Sequence, residues 1–185
     1  MDVLGIDGYK VIKNFISQEQ CEFFQNYCKI SHQLNFDKFD PTTDFDTGIY
    51  GSKAMESLML SKQKDVEKLT GLKLFPTYSF WRMYTNQSVL KLHTDRPSCE
   101  YSVTLMLGSD GTPWEFVAKD KSYVQQPGDA IIYKGCDVPH GRPKPYEGDW
   151  HAQVFIHYVN ADGPNKDYKF DKRQVIGQTK NDANK

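Results

Sequence analysis

The sequence lacks the features that would place the chain outside ordinary globular proteins. It has only four cysteines, Cys21, Cys28, Cys99 and Cys136, and none of them forms a CxxC pair. Reduced thiols therefore fit better than a disulfide framework or a zinc cluster, which favours a cytoplasmic protein. No apolar run approaches the roughly 20 residues of a membrane-spanning helix. The first residues have neither the basic nor the apolar region of a secretory signal, so we expect no export.

An excess of charge of one sign is also missing. The chain has 23 Lys and Arg against 24 Asp and Glu, a formal net charge of −1. Proteins that bind nucleic acid usually carry a strong basic excess, so we expect neither a nucleic acid nor a membrane as partner. Aromatic residues, by contrast, are abundant, with 11 Tyr, 11 Phe and 3 Trp. At 185 residues the simplest interpretation is one domain with a sizeable core; the pattern gives no oligomeric state.

The first 71 residues predict a short strand followed by two helices. Ser17 with Gln20 three residues later fits a capping box, which places the first helix directly after it. The second helix is predicted from about Ser52 to Thr70, with Gly71 as its stop. Between the helices, residues 31–50 are polar, Asp-rich and aperiodic. They predict a long loop, a candidate lid or a rim facing the substrate.

After Gly71 the pattern changes to short apolar segments separated by turn signals, which predicts strands. The predicted strands are 72–84, 89–92, 101–107, 114–117, 122–125, 130–133 and 150–159. Many short strands at close spacing favour a sandwich or barrel, so the fold class is α+β and mainly β, with the N-terminal helices packed outside. We expect one domain over 1–160, with helical support in 1–71 and a β-barrel core in 72–160. Residues 161–185 form a polar C-terminal tail, whose last ten or so residues we expect to be loose.

One segment of this β-rich part, LKLHTDRPSCEYSVTLMLG, contains a histidine two residues before an aspartate. Residues two apart in a strand point to the same face, so His93 and Asp95 would present an imidazole and a carboxylate side by side. His140 follows 47 residues after His93, beyond a Pro-Gly-Asp turn and an apolar strand. Two histidines and one carboxylate make up the facial triad that holds non-haem Fe(II) and leaves positions open. The absence of cysteine-ligand spacing argues against a closed structural zinc site.

Three segments carry a resemblance to a known family: YKVIKNFISQEQC, RMYTNQSVLKLHTD and PGDAIIYKGCDVPHGR. From about Tyr9 to Asn160 the chain resembles the Fe(II)/2-oxoglutarate-dependent dioxygenases, specifically their prolyl-4-hydroxylase-like branch. The resemblance implies a double-stranded β-helix, a jelly-roll or cupin-like barrel that holds iron at its mouth.

The resemblance also implies an activity and its cofactors. His93, Asp95 and His140 would be the catalytic metal ligands for Fe(II), with 2-oxoglutarate as co-substrate, O2 as oxidant and ascorbate as a further candidate. The reaction would hydroxylate an unactivated C–H bond, with peptidyl proline as the family-level substrate, and release succinate and CO2. The oxidising power would belong to the metal centre, while the protein holds the metal and aims the substrate.

The residues that would bind 2-oxoglutarate match the family less well. Tyr84, nine residues before His93, corresponds to the family tyrosine that hydrogen-bonds the co-substrate. The family cation for the distal carboxylate usually lies nine or ten residues after the second histidine, where this chain has Asp149 and Trp150. We expect Arg142 to replace it, with Arg96 as the other candidate. His151 and Gln153, which share a strand face, are expected helpers.

Three alternatives remain open from the sequence. The same chemistry would serve a free amino acid or another small molecule instead of a peptide. A second alternative is a jelly-roll module that binds a ligand without catalysis, which the missing cation favours. A third is a zinc hydrolase that uses the same three ligands, with Glu100 or Glu115 as general base.

Overall fold

The computed structural model describes residue 4 and residues 7–34 and 47–178. Two helices lie in this part of the chain, α1 (Gln18–Leu34) and α2 (Lys53–Thr70). The strands are β1 (Tyr9–Ile12), β2 (Thr47–Tyr50), β3 (Leu74–Thr85), β4 (Leu90–His93), β5 (Tyr101–Ser109), β6 (Glu115–Ala118), β7 (Lys121–Val124), β8 (Ala130–Tyr133), β9 (His140–Arg142) and β10 (Trp150–Asn160). Among the described residues, no helix is both long and apolar enough to cross a membrane.

The strands form two antiparallel sheets. The larger has the order β1-β8-β5-β10-β3-β2, and the smaller has the order β4-β9-β6-β7. Side chains of both sheets pack together between them, as Phe116 of β6 does with Ile131 and Tyr133 of β8. The prediction of a mainly β fold is confirmed.

Alternation along β10 separates the helical core from the space between the sheets. Ala152, Val154 and Ile156 belong to the largest apolar cluster, which also contains residues of α1 and α2. The residues in between point the other way, and Phe155 packs with Tyr84 in a separate aromatic cluster. The helices therefore cover the outer face of the larger sheet, as expected.

Local signals place both helices correctly. The Ser17 N–H donates to Gln20 Oε1 (3.1 Å), and the Gln20 N–H donates to Ser17 Oγ (3.2 Å), so the capping box forms. The helix α2 ends at Gly71, whose φ of 72° is left-handed and whose N–H donates to the Glu67 carbonyl. Glycine adopts this conformation without the steric cost that a Cβ brings.

The prediction of one aperiodic loop over residues 31–50 is wrong at both ends. Residues 31–34 are the last turn of α1, and Thr47–Tyr50 form β2, which pairs with β3 from Thr47 opposite Met83 to Tyr50 opposite Phe80. Only this long-range pairing makes the TGIY segment a strand, because it lacks the alternation of a half-buried strand. The rest of the predicted loop lies outside the described residues, and its role as a lid stays a prediction.

The polar C-terminal segment is bonded to the domain as far as it is described. Arg173 forms an ion pair with Glu56 of α2 (2.6 Å), with both side chains almost fully buried. The Asp171 carboxylate accepts hydrogen bonds from Arg96, Ser98 and Tyr50. The expected looseness concerns residues that lie mostly beyond the described part of the chain, so that prediction stays untested.

Candidate metal centre

The structure brings His93, Asp95 and His140 together, although His140 is remote in sequence. The Asp95 Oδ1 atom lies 3.6 Å from His93 Nε2 and 3.5 Å from His140 Nε2. One ligand atom from each of the three residues falls within 4.8 Å of the others. His93 and His140 face each other across the β4–β9 ladder, which explains how two segments far apart in sequence meet.

Backbone hydrogen bonds orient both imidazoles. His93 Nδ1 lies 2.8 Å from the Lys91 carbonyl oxygen, and His140 Nδ1 lies 2.8 Å from the Val138 carbonyl oxygen. A carbonyl oxygen only accepts, so each Nδ1 carries the proton and each Nε2 of the neutral ring has a free lone pair. Such a bond to the second ring nitrogen is the usual way in which proteins orient a metal-binding histidine.

The expectation that one strand supplies both His93 and Asp95 is wrong, since β4 ends at His93. The backbone N–H of Asp95 donates to the Gly135 carbonyl (2.8 Å), so Asp95 is held by the loop after β8. Pro97 follows two residues later and begins a short 3-10 helix, Pro97–Cys99, which ends the extended segment. The carboxylate still reaches both imidazoles from this loop.

The electrostatics of the cluster favour a charged carboxylate. Burial alone would raise the pKa of Asp95, but His140 and His93 together lower it below its ordinary value. The pKa of His93 is raised, chiefly because Asp95 stabilises its protonated form. A carboxylate and two imidazole lone pairs that converge on one point suit a borderline divalent cation.

A cavity of about 270 Å³ opens beside the three residues. Its walls are largely aromatic, with Tyr78, Phe80, Tyr133 and Phe155, and Arg82 supplies a cation. Arg82 was not among the site residues predicted from the sequence. The signal that would have found it is strand alternation, because Arg82 lies two residues before Tyr84 on β3 and so faces the same side.

Arg142 lies in a closed polar network between the sheets and does not line this cavity. Its guanidinium donates to the Trp114 carbonyl (2.6 Å), to Gln125 Oε1 (3.0 Å) and to Gln153 Oε1 (3.2 Å). It also lies 4.7 Å from the centre of the Trp114 ring. Burial lowers the pKa of Arg142 to about 10. No carboxylate of the described residues forms an ion pair with it, and its Nε–H has no acceptor among them.

Gln153 and His151 support this network. The Gln153 amide oxygen accepts from Arg142, which fixes the amide orientation, and its Nε2 donates to Thr104 Oγ1 (2.7 Å). His151 Nε2 lies 2.9 Å from the same amide oxygen, so it must be the donor. Burial, with the charge of Arg142 second, lowers the pKa of His151 to about 3, so the ring is neutral. It presents an acceptor at Nδ1 and lines a second cavity together with Trp114 and Gln125.

Tyr84 and Arg96, the remaining predicted residues, lie in different surroundings. Tyr84 is buried, and its ring centre lies 4.9 Å from that of Trp114 and 6.2 Å from that of His151. Tyr84, Arg142, His151 and Gln153 thus belong to one buried cluster. Arg96 is instead bound through both Nη atoms to Asp171 (2.6 and 2.8 Å), which leaves it poorly placed for a co-substrate.

The residues that a zinc hydrolase would need as general base lie elsewhere. Glu100 Oε2 accepts from the Asn160 N–H (3.0 Å), and Glu115 pairs with Lys144 (2.7 Å). Among the described residues that line the cavity beside His93, Asp95 and His140, neither glutamate is present. This arrangement disfavours the hydrolase alternative.

Neither the protein-family models nor the curated proteins include a match to the sequence. Solved structures, in contrast, match over most of the chain. HygX from Streptomyces hygroscopicus, with nickel and 2-oxoglutarate bound, is 13% identical, with a TM-score of 0.68, covering 86% of this chain and 85% of HygX. The viral collagen prolyl hydroxylase of Paramecium Bursaria Chlorella virus-1 is 13% identical, with a TM-score of 0.64, and the match covers 82% of this chain and 95% of that one.

A bacterial prolyl hydroxylase shares the fold to a similar extent. The Pseudomonas putida prolyl-4-hydroxylase is 11% identical, with a TM-score of 0.64, and the match covers 83% of this chain and 94% of that one. At such identities the likeness establishes the fold. The predicted resemblance to 2-oxoglutarate-Fe(II) oxygenases, prolyl hydroxylases among them, is thus confirmed at the level of architecture.

Proposed function

We propose that the protein is an Fe(II)- and 2-oxoglutarate-dependent oxygenase built on a double-stranded β-helix, with His93, Asp95 and His140 as metal ligands. The observation that carries the proposal is the convergence of His93 Nε2, Asp95 Oδ1 and His140 Nε2, with each Nδ1 already bonded to a carbonyl. This donor set fits the metal, and the fold is shared with proteins whose structures contain iron or nickel and 2-oxoglutarate.

The metal and co-substrate together would supply the oxidising power, using O2 to hydroxylate a C–H bond with release of succinate and CO2. The chain's own residues hold and orient. His93 and His140 donate lone pairs at Nε2, and Asp95 supplies the negative charge that offsets part of the charge of the cation. Phe80, Tyr133 and the other aromatic walls give the cavity next to these ligands a largely apolar surface for the substrate.

For the distal carboxylate of 2-oxoglutarate we favour Arg142, with Tyr84, His151 and Gln153 around it. Arg142 follows His140 by two residues in β9, so both side chains point to the same face, about 7 Å apart along the strand. The Phe116 ring lies near both, 6.1 Å from the His140 ring and 5.5 Å from the guanidinium carbon. A fully buried arginine without a carboxylate partner among the described residues is costly, and a bound carboxylate would offset that cost.

Arg82 is the second candidate for this role. Arg82 lines the cavity beside His93, Asp95 and His140 directly, whereas Arg142 does not. Its guanidinium lies 5.1 Å from the centre of the Phe80 ring and 5.8 Å from that of Tyr84, so it also belongs to the interior surface of β3. The two arginines make opposite predictions for matched variants.

Peptidyl proline is the first substrate candidate, because the fold is shared with two prolyl hydroxylases and aromatic walls suit a pyrrolidine ring. A small molecule or free amino acid is the alternative, and the HygX structure with hygromycin B bound supports it. The His93 side chain is 41% exposed among the described residues, so a substrate of either kind can approach the proposed metal site from the surface.

The test is an oxygen-free titration of the metal-free protein, first with Fe(II) and then with 2-oxoglutarate, monitored by the visible charge-transfer absorption of the chelated complex. We expect the band in the wild type and its loss in His93→Ala. Arg142→Gln and Arg82→Gln form the matched pair, each checked for folding by circular dichroism. If Arg142 binds the distal carboxylate, only its variant needs more co-substrate, by roughly 30-fold or more, since loss of a buried charge partner costs about 2–5 kcal/mol.

Two results would overturn parts of the proposal. A wild type that binds Fe(II) but shows no band at any concentration of 2-oxoglutarate would favour the non-catalytic binding module. A shift in Arg82→Gln with none in Arg142→Gln would assign the carboxylate to the cavity wall and leave Arg142 a structural role.

A further inference from the structure

The two oxygens of the Asp95 carboxylate face different surroundings. Oδ1 faces the two imidazoles at 3.5 and 3.6 Å. Oδ2 lies 3.1 Å from the hydroxyl oxygen of Ser102, which is fully buried on β5. Ser102 lies only seven residues after Asp95 but was not among the site residues predicted from the sequence.

The direction of the Ser102 hydrogen bonds follows from its neighbours. Its Oγ also lies 3.0 Å from the Cys99 carbonyl oxygen and 2.8 Å from His157 Nδ1. The carboxylate and the carbonyl only accept, and the single hydroxyl proton that faces both favours the carboxylate, because hydrogen bonds to an ionised acceptor are the stronger ones. His157 Nδ1 must then donate to Ser102 Oγ. The result is a directional chain from His157 through Ser102 to Asp95, in which each bond polarises the next.

Close packing around Oδ2 keeps this chain in place. A Cβ at Gly135 would overlap the Cys99 carbonyl oxygen and would lie 2.5 Å from Asp95 Oδ2 and 2.9 Å from Ser102 Oγ. Only glycine therefore allows the loop after β8 to come this close. His157 is in turn fixed by the Tyr78 ring, whose centre lies 4.5 Å from that of the imidazole.

We propose that Ser102, held by His157, is a positioning residue that engages Oδ2 so that Asp95 binds the metal through Oδ1 alone. The proposal rests on the proposed function, since it assumes that His93, Asp95 and His140 bind the metal. A facial triad needs free positions for the co-substrate and oxygen, and a carboxylate with both oxygens free can occupy one of them. Hydrogen bonds to metal-bound carboxylates typically change metal affinity by about 10- to 100-fold.

The experiment uses Co(II) in place of iron in the whole chain, because the visible spectrum of Co(II) reports the number and arrangement of its ligands without any turnover. Ser102→Ala removes the hydroxyl. His157→Phe keeps a ring against Tyr78 but removes the donor, and His157→Asn restores an N–H near the Nδ1 position. Ser79→Ala is the control, since Ser79 is a buried serine of β3 whose hydroxyl has no partner among the described residues.

We expect Ser102→Ala and His157→Phe to weaken Co(II) binding by about 10- to 100-fold and to change the spectrum of the metal-saturated protein. His157→Asn should recover most of both properties, and Ser79→Ala should match the wild type. A merely structural role would lower the melting temperature and leave the saturated spectrum unchanged, which would overturn the proposal. If the wild type itself binds no Co(II), the proposed metal site is wrong. If the wild type binds Co(II) and Ser102→Ala binds it equally well with the same spectrum, only the role of Ser102 is refuted.

Discussion

Replacing Arg173 by methionine should strongly destabilise the protein, although Arg173 lies near the end of the described chain. Its guanidinium pairs with Glu56 at 2.6 Å, and the two side chains are 6% and 1% exposed. It also donates to the carbonyls of Thr77 (2.8 Å), Phe170 (2.8 Å) and Gln178 (2.7 Å). Methionine would fill much of the space but would leave the Glu56 carboxylate buried without its cation.

The expected cost is about 3–5 kcal/mol, the range for removal of one partner from a buried ion pair. For a domain of this size each kcal/mol lowers the melting temperature by about 2–4 °C, so the shift should be roughly 6–20 °C. Urea unfolding of the metal-free protein, followed by circular dichroism, measures the free energy directly.

A double variant separates the ion pair from simple loss of packing. Arg173→Met with Glu56→Gln removes the stranded charge, so it should be more stable than Arg173→Met alone. A loss below about 1 kcal/mol in the single variant, or a double variant that is as unstable as the sum of both single ones, would refute the assignment of a buried, coupled pair.

Three further changes test other parts of the structure. Gly135→Ala should abolish high-affinity Co(II) binding, measured by titration, because its Cβ would displace the Asp95 carboxylate; unchanged affinity would contradict the close approach. Asp171→Asn should destabilise the protein at pH 7, because Arg96 and the hydrogen bonds around Asp171 outweigh burial and lower its pKa to about 2. That contribution is present above the ordinary value near 4 and is lost as the pH falls toward 2, so urea unfolding should show the difference narrowing below pH 4. Ser17→Ala should cost about 1 kcal/mol by loss of the helix cap, with Ser57→Ala inside α2 as an exposed control.

Signals confined to a few residues predicted their part of the fold well. The Ser17–Gln20 capping box and the Gly71 stop each act within one helical turn. The start of α1 and the end of α2 lie where these signals place them. The strand β8 has the predicted bounds, because its four apolar residues lie between the Pro-Gly-Asp turn and the Lys134-Gly135 pair.

Pairing between distant segments explains what the sequence analysis missed. Strand β9 consists of only His140, Gly141 and Arg142, and it is extended because it pairs with β4 and β6. Similarly, Asp95 lies outside β4 because its N–H bonds to Gly135, a residue 40 positions away. No local pattern encodes these partners.

The candidate metal ligands could be brought together from the sequence more readily than the residues proposed for the co-substrate. The two histidines and Asp95 are adjacent to strand and turn signals, and their chemistry depends on residue type. The choice between Arg142 and Arg82 depends instead on which side chains line a cavity and which are held in a buried network, and both follow from the packing of two sheets.

The most direct test of the central claim is an oxygen-free crystal structure of the protein with Mn(II) and 2-oxoglutarate. We predict one metal ion bound by His93 Nε2, Asp95 Oδ1 and His140 Nε2, with the keto-acid end of 2-oxoglutarate on the metal and its distal carboxylate against Arg142. A metal ion bound elsewhere, or a well-ordered triad that binds no metal at saturating Mn(II), would contradict the account.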